Sequence, residues 1–209
     1  FYQELSKHNK FIFVSIGSFC SVDWNFLSSL KQYAEINNAM VIGIPLFKRY
    51  DKSTTDFCVP PQIREYMWVT FEDIKLNANL MVQVIKANCT TKSTLTGLNQ
   101  IVSKYDSSII VGGINQQLKY IPVLKDKTPN LIASTGCCTE YEPVKKDDIL
   151  IIPTKAEKLA RERLSIKGAL IIELGSDDTF TCRNIESDDN GSFIDLAVQY
   201  NPNRAPEDI

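Results

Sequence analysis

Residues 11–47, "FIFVSIGSFCSVDWNFLSSLKQYAEINNAMVIGIPLF", decide the fold. "FIFVSIGS" is a short apolar, β-branched run closed by Gly17, the signature of a buried strand. In "SVDWNFLSSLKQYAEINN" the apolar residues Phe26, Leu27, Leu30, Tyr33 and Ala34 recur at helical spacing. Ser21 reads as the helix N-cap, and Asp23 falls in the first turn, where its charge meets the positive end of the helix dipole. "AMVIGIPLF" is a second buried strand. A strand, a helix and a strand in this order make a βαβ crossover, which requires neighbouring parallel strands with the helix packed on them. The class is therefore α/β, with a mostly parallel sheet opened by this unit.

Outward from that unit, "KRYDKSTTDFCVPPQIREY" is polar, carries Pro60-Pro61 and is longer than a simple connection needs. "MWVTF", "NLMVQVIKA" and "SSIIVGG" continue as strands, with a short helix expected at "TLTGLNQIVSKY". Beyond residue 114 the chain is more β-rich. "QQLKYIPVL", "PNLIAST", "GALIIEL" and "TFTCRNIE" are strand candidates, and "TKAEKLARERLSI" is the one helix among them. No linker or composition break divides the 209 residues, so a single α/β domain over 1–209, with a β-rich extension from about 114, is expected. The start at Phe1 and the polar ending "NPNRAPEDI" suggest the N-terminal part of a longer chain.

Composition narrows the function. With 44% hydrophobic residues the chain can bury a real core, and 23 basic against 25 acidic side chains give no overall positive field toward nucleic acid or an anionic membrane. No apolar run is long enough for a membrane-spanning helix and no signal-peptide pattern opens the chain, which points to the cytoplasm and to no membrane partner. The six cysteines are scattered in a chain that needs no staples and read as reduced thiols.

The single histidine, His8, satisfies neither a metal centre nor a nucleophile–base pair and reads as a solvated surface residue. No catalytic residue and no metal ligand is assigned. Adjacent Cys137 and Cys138 lie too close along the chain for an unstrained disulfide, and no CxxC or neighbouring histidine offers zinc a site. Acidic "TEYEP" follows them, so small apolar filling is the simpler reading and a nucleophilic Cys137 the alternative.

Two loops are positioned to receive an anion. Ser15, Gly17, Ser18 and Ser21 lie between the first strand and the first helix, where an α/β sheet commonly holds its ligand, although "GSFCS" matches neither nucleotide fingerprint. Gly112 and Gly113 bring backbone amides, and Lys119 a charge, to a second such place, although a glycine pair after a strand is also an ordinary turn. Lys125, Lys127, Lys145, Lys146, Lys155, Lys158, Arg161 and Arg163 form a denser basic region, but acids interleave along "TKAEKLARERL" as on a solvated helix face. The acidic "GSDDTF" and "ESDDNGS" read as hairpin turns rather than metal loops.

Three stretches together, "FIFVSIGSFCSVDWNFLSSLKQYAE", "TLTGLNQIVSKYDSSIIVGGINQQLKYIPVLKDKTPNLIASTGCCT" and "KGALIIELGSDDTFTCRNIESDDNGSFIDLAVQYN", resemble the N-terminal region of a poorly characterised tailed-phage protein family. The likeness spans most of residues 11–202: an opening strand and helix, an "LTGL" helix, a segment ending in "TP", a "TTG"-like turn and a "GAL" strand. Longer family members continue into a calcineurin-like metallophosphoesterase domain whose Gly-Asp-x-His motif would begin just past Ile209. The resemblance implies a non-catalytic N-terminal domain of a metal-dependent phosphoesterase or DNA nuclease, used for assembly or substrate positioning. It further implies the cytoplasm of an infected bacterial host, a role in host takeover, homo-oligomers, and contact with nucleic acid through the parent protein. No cofactor belongs to this segment, and a divalent metal would belong to the following domain. The family's histidine-containing segment before the "GAL" strand is replaced here by "KAEKLARERLSIKGAL". The alternative is a stand-alone phage module that binds a nucleotide or host protein through the loops 15–21 and 48–61.

Overall fold

In the computed structural model the described residues are 1–18, 20–47, 57–85, 106–121, 129–140, 145–146, 149–150 and 165–209. A helical turn, α1 (Tyr2–Leu5), precedes β1 (Lys10–Gly17), α2 (Trp24–Asn37) and β2 (Ala39–Leu46). β1 and β2 run parallel in unbroken register from Lys10↔Ala39 to Gly17↔Leu46, so the opening βαβ unit forms as its periodicity demands. Asp23, not Ser21, is the N-cap of α2, its carboxylate accepting from the Phe26 N–H at 3.0 Å. Asn38 ends the helix in the left-handed conformation, which asparagine tolerates.

A 3-10 turn, Pro61–Glu65, leads into β3 (Trp68–Val69), which lies parallel to β2. Next come β4 (Ile74–Lys75), β5 (Leu80–Gln83), β6 (Ser108–Val111), β7 (Gln116–Ile121) and β8 (Asn130–Thr135). A two-residue pair, β9 (Lys145–Lys146) and β10 (Ile149–Leu150), precedes the hairpin of β11 (Gly168–Leu174) and β12 (Phe180–Glu186). β13 (Phe193–Asp195), β14 (Val198–Asn201) and β15 (Arg204–Asp208) close the chain. The helices expected at 94–105 and 154–166 fall almost wholly outside the described residues.

The first sheet has the order β12-β11-β1-β2-β3 and the second β4-β5-β6-β8-β7. The pairs β1–β2, β2–β3, β5–β6 and β6–β8 are parallel, and antiparallel strands flank them. This is an α/β architecture rich in strands. β8 enters the second sheet beside β6, and β11 enters the first beside β1, so both halves of the chain share both sheets.

Strand alternation explains the layers. Phe11, Phe13, Met40, Ile42, Ile44, Leu170 and Ile172 on one face of the first sheet meet Ile74, Leu80, Val82, Ile110, Leu131 and Ala133 of the second. Ile12, Val14, Ile16, Val41 and Ile171 on the opposite face pack on Phe26, Leu27, Leu30 and Tyr33 of α2. The first sheet is thus covered on both sides, which is why β1 and β2 are continuous apolar runs. The small sheet β13-β14-β15 docks on α2 through aromatics: Tyr33–Tyr200 ring centroids are 4.8 Å apart and Phe26–Phe193 6.1 Å.

His8 departs from its expected place in solvent. Its Nδ1 lies 2.9 Å from the Asn38 carbonyl oxygen, so it ties the N-terminal segment to the end of α2. The acidic stretches are turns: Asp177 and Asp178 adopt φ values of 59° and 57° between β11 and β12, and the Asp188 carboxylate accepts from the Asn190 and Ser192 N–H groups.

Candidate functional site

The parallel strands of both sheets end in one region, around Ser15 and Gly17 of β1, Leu46 of β2, Gly112–Gly113 after β6 and Thr135 of β8. In α/β sheets this end is where ligands commonly bind. Here a chain of hydrogen bonds fills it. The Gly113 N–H donates to Ser15 Oγ at 2.9 Å, and Ser15 Oγ lies 2.7 Å from Thr135 Oγ1. Thr135 Oγ1 donates to the Gly136 carbonyl at 2.8 Å, which leaves the Ser15 hydroxyl to donate to Thr135. The same Gly136 carbonyl accepts from the Ser15 N–H at 3.0 Å, closing the loop. Ser15 and Thr135 are fully buried, so each bond satisfies a group that water cannot reach.

β1 pairs with β11 only from Lys10 to Phe13. From Ser15 onward the segment Cys137–Thr139 takes the place of β11, with bridges Ser15↔Cys137, Val22↔Thr139 and Cys137↔Lys167. Val22 is therefore bound in an extended bridge, which delays α2 and passes its cap to Asp23. The Cys138 N–H donates to the Ser15 carbonyl at 3.0 Å, the Asp23 N–H to the Cys138 carbonyl at 2.9 Å, and the Gly17 N–H to Thr139 Oγ1 at 2.9 Å. Cys137 and Cys138 are buried, and burial pushes both thiols above their ordinary range. That opposes a nucleophilic Cys137. Cys20 is half-buried and Cys58 exposed.

Of the sequence-derived binding residues, Ser15, Gly112 and Gly113 come together. A Cβ on Gly112 would stand 2.9 Å from Ile44 Cγ2 and 3.0 Å from Ser15 Oγ, so glycine here lets the second sheet close on the first. Gly17 lies at the same edge, and Ser18 is buried with its Oγ accepting from the Cys58 N–H at 3.0 Å. Ser21 is exposed and its carbonyl accepts from the Glu140 N–H. Lys119 stands apart, exposed on β7 opposite Ile132.

At the mouth, Lys167 Nζ lies 2.9 Å from Asp23 Oδ2 and 3.6 Å from Glu140 Oε1, and the Asp23 hydrogen bond raises the lysine's pKa. Two carboxylates around one ammonium make this rim a poor seat for an anion. Among the described residues no group of three or more His, Cys, Asp or Glu side chains is placed to hold a metal ion. Lys125, Lys127, Lys155, Lys158, Arg161 and Arg163 lie outside the described residues, and Lys145 and Lys146 form β9. None of the helices is long and apolar enough to cross a membrane, among the described residues.

Sequence reasoning missed Thr135, Thr139 and Lys167, and gave Asp23 a place in the first turn rather than the cap. The signal for the two threonines was a row of hydroxyls, "STGCCT", at the end of an apolar strand, where polar side chains meet backbone rather than solvent.

No protein-family model matches the chain, and no curated protein matches it. Among solved structures it is similar to Vps29 of Chaetomium thermophilum, at 10% identity over 83% of this chain and 96% of that one, with a TM-score of 0.35. A likeness this loose assigns no function.

Proposed function

We propose that residues 1–209 act as a non-catalytic α/β domain of a phage-type metal-dependent phosphoesterase or DNA nuclease, serving assembly or substrate positioning. One observation carries the non-catalytic part. The hydroxyls of Ser15 and Thr135 and the amide of Gly113, which sit where an α/β enzyme would present its reactive groups, are joined to one another inside the protein. They hold two sheets together. The phage context, the homo-oligomer, contact with nucleic acid through the parent protein and a following metal domain rest on the sequence resemblance. The domain is read as a single unit over 1–209 within a longer chain, working in the cytoplasm of an infected bacterium.

The test is cleavage. Residues 1–209 incubated with Mn²⁺ and supercoiled or single-stranded DNA should leave the substrate intact, and robust cleavage overturns the reading. A reading frame that continues past Ile209 into a Gly-Asp-x-His segment is the matching genetic expectation.

The rival, a stand-alone module for a nucleotide or host protein, rests on the sequence reading of the loops 15–21 and 48–61. It requires a saturable thermal shift with a nucleotide or host-protein ligand that Ser21→Trp abolishes. The scaffold reading expects none.

A further inference from the structure

The sequence holds one Asn-Gly pair, Asn190-Gly191, in the loop between β12 and β13. An asparagine before glycine carries a latent reaction of its own backbone, because glycine has no side chain to shield its amide nitrogen from the neighbouring carboxamide. Asn190 is exposed, and among the described residues no hydrogen bond holds its side-chain amide. Gly191 is buried at a φ of 86°, and a Cβ there would stand 2.5 Å from Asn25 Cβ and 2.6 Å from the Phe26 nitrogen. The loop thus rests on the first turn of α2 through the bare backbone of Gly191.

Asp188 holds the loop shut. Its Oδ1 accepts from the Asn190 N–H at 2.9 Å and the Ser192 N–H at 2.8 Å. Its carbonyl accepts from the Gly191 N–H at 3.2 Å, and its own N–H donates to the Ser192 carbonyl at 2.8 Å. The Gly191 bond closes a β-turn over 188–191 in which neither Asp189 nor Asn190 has a positive φ, the pattern of type I. In that form the ψ of the third residue is about 0°, which leaves the Gly191 nitrogen roughly a third of a turn away from the Asn190 Cβ. Closing a five-membered ring needs the two eclipsed. Reaction therefore waits for the Asp188 bonds to break in a local opening of the loop.

We infer that Asn190 is a site of self-modification by deamidation, gated by Asp188, and that the product unseats the loop from α2. In the open loop the Gly191 nitrogen gives up its proton and bonds to Asn190 Cγ, whose carboxamide nitrogen takes a proton and leaves as ammonia. Water then cleaves the cyclic imide on one or the other side of the Gly191 nitrogen. One cut gives aspartate. The other gives isoaspartate, in which the main chain runs through Cβ and is one atom longer. Aspartate fits the old turn, but the longer chain does not, since Gly191 already lies against Asn25 and Phe26.

The test is peptide mapping by mass of the whole protein held at mildly alkaline pH and physiological temperature. The Asn190 peptide should show the amide-to-acid mass gain before any other asparagine. Asp188→Ala should speed the reaction at least about fivefold in buffer, and not at all in concentrated urea, where the turn is already lost. Should that variant fail to fold, wild type alone decides, because urea should speed its reaction at least about tenfold over buffer. Aged, isoaspartate-containing protein, separated by its added charge, should unfold at a lower urea midpoint than Asn190→Asp, which carries the charge on a normal backbone. A different asparagine reacting first, equal wild-type rates in buffer and urea, a folded Asp188→Ala that reacts no faster, or aged protein as stable as Asn190→Asp each overturns the proposal.

Discussion

Ser15 and Thr135, 120 residues apart in the chain, place their hydroxyl oxygens 2.7 Å apart in the buried seam between the two sheets. The pair is one link of a closed circuit, since Ser15 also receives the Gly113 amide. Ser15→Ala would leave that amide and the Thr135 hydroxyl short of a buried partner, at a cost of about 2 kcal/mol. Urea unfolding should show a lower midpoint with an unchanged slope. In a double-mutant cycle with Thr135→Val the two losses should fall short of additivity, because the second change removes a hydroxyl that the first has already deprived of one of its two bonds. Simple additivity would break the link between them.

The β13–β14 hairpin turns through Leu196 and Ala197 at φ values of 49° and 66°, between the paired residues Asp195 and Val198. Two positive φ values form the type I′ pattern that Asn-Gly suits, while leucine and alanine are strained there. Replacing both, Leu196→Asn with Ala197→Gly, should stabilise the protein by about 1–2 kcal/mol. Calorimetry should then show Tm higher by roughly 2–4 °C per kcal/mol gained. An unchanged or lower Tm would show that the exposed Leu196 side chain contributes more than its backbone strain costs.

What the sequence disclosed and what it hid divide along range. β1, α2 and β2 were legible because their patterns are local and the crossover rule leaves little choice. The runs "PNLIAST", "GALIIEL" and "TFTCRNIE" correspond to β8, β11 and β12, the first and last longer than the strand by one residue at the amino end. Hidden was the choice of partners. Nothing in Gly168–Leu174 itself says that it lies antiparallel beside β1, and nothing in Cys137–Thr139 says that it replaces β11 there. The helix cap was misplaced for the same reason: Ser21 is the better local candidate until Val22 is drawn into a bridge with Thr139. His8 looked solvated because its partner, the Asn38 carbonyl, is 30 residues distant.

Cys137, Cys138 and Cys182 all hold their protons more tightly in the fold than an ordinary thiol, chiefly through burial. In the unfolded chain each ionises near about 8.5. Above that pH the unfolded state binds fewer protons than the folded one, so the stability present below it is lost as pH rises toward the folded values. For Cys182 that window runs from the unfolded value up to about 12. Each fully separated thiol contributes a slope of up to about 1.4 kcal/mol per pH unit. Under reducing conditions the urea midpoint should therefore drop between pH 7.5 and 9.5, and drop less in Cys138→Ala. A flat wild-type profile would contradict the burial of these thiols.

Asp195 is 7% exposed and accepts from Arg183 Nε at 2.9 Å, Arg183 Nη2 at 3.1 Å and the Tyr33 hydroxyl at 2.9 Å. It therefore fastens β13 to both β12 and α2. Asp195→Asn offers one acceptor where two were used and turns an amide toward donors. With Arg183 still half-buried and retaining Glu173 at 3.2 Å, the loss should be about 2–3 kcal/mol. Tyr33→Phe removes only one bond from the carboxylate and should cost nearer about 1 kcal/mol. Equal losses would mean that the tyrosine, not the ion pair, anchors the small sheet.

Gly168 begins β11 where the Gln116 side chain crosses between the sheets. Gln116 Nε2 lies 2.9 Å from the Ala169 carbonyl oxygen and 2.8 Å from that of Ile185, so one amide from β7 binds β11 and β12 together. A Cβ at Gly168 would stand 2.5 Å from the Ile185 carbonyl oxygen and 2.6 Å from Gln116 Nε2. The first obstacle is backbone in a paired strand, and the second is a side chain held by its own bonds, so neither yields cheaply. Gly168→Ala should cost about 3 kcal/mol through overpacking and loss of the Gln116 bridge. Gly175→Ala is the control, because its Cβ would meet the Thr179 hydroxyl, at 2.4 Å, in the exposed hairpin tip, where a rotation relieves the contact by exchanging the Thr179–Ser176 hydrogen bond for one with water. That variant should stay within about 0.5 kcal/mol of wild type. If denaturation midpoints put the two alanines level, the seam between the sheets is looser than the Gln116 bridge implies.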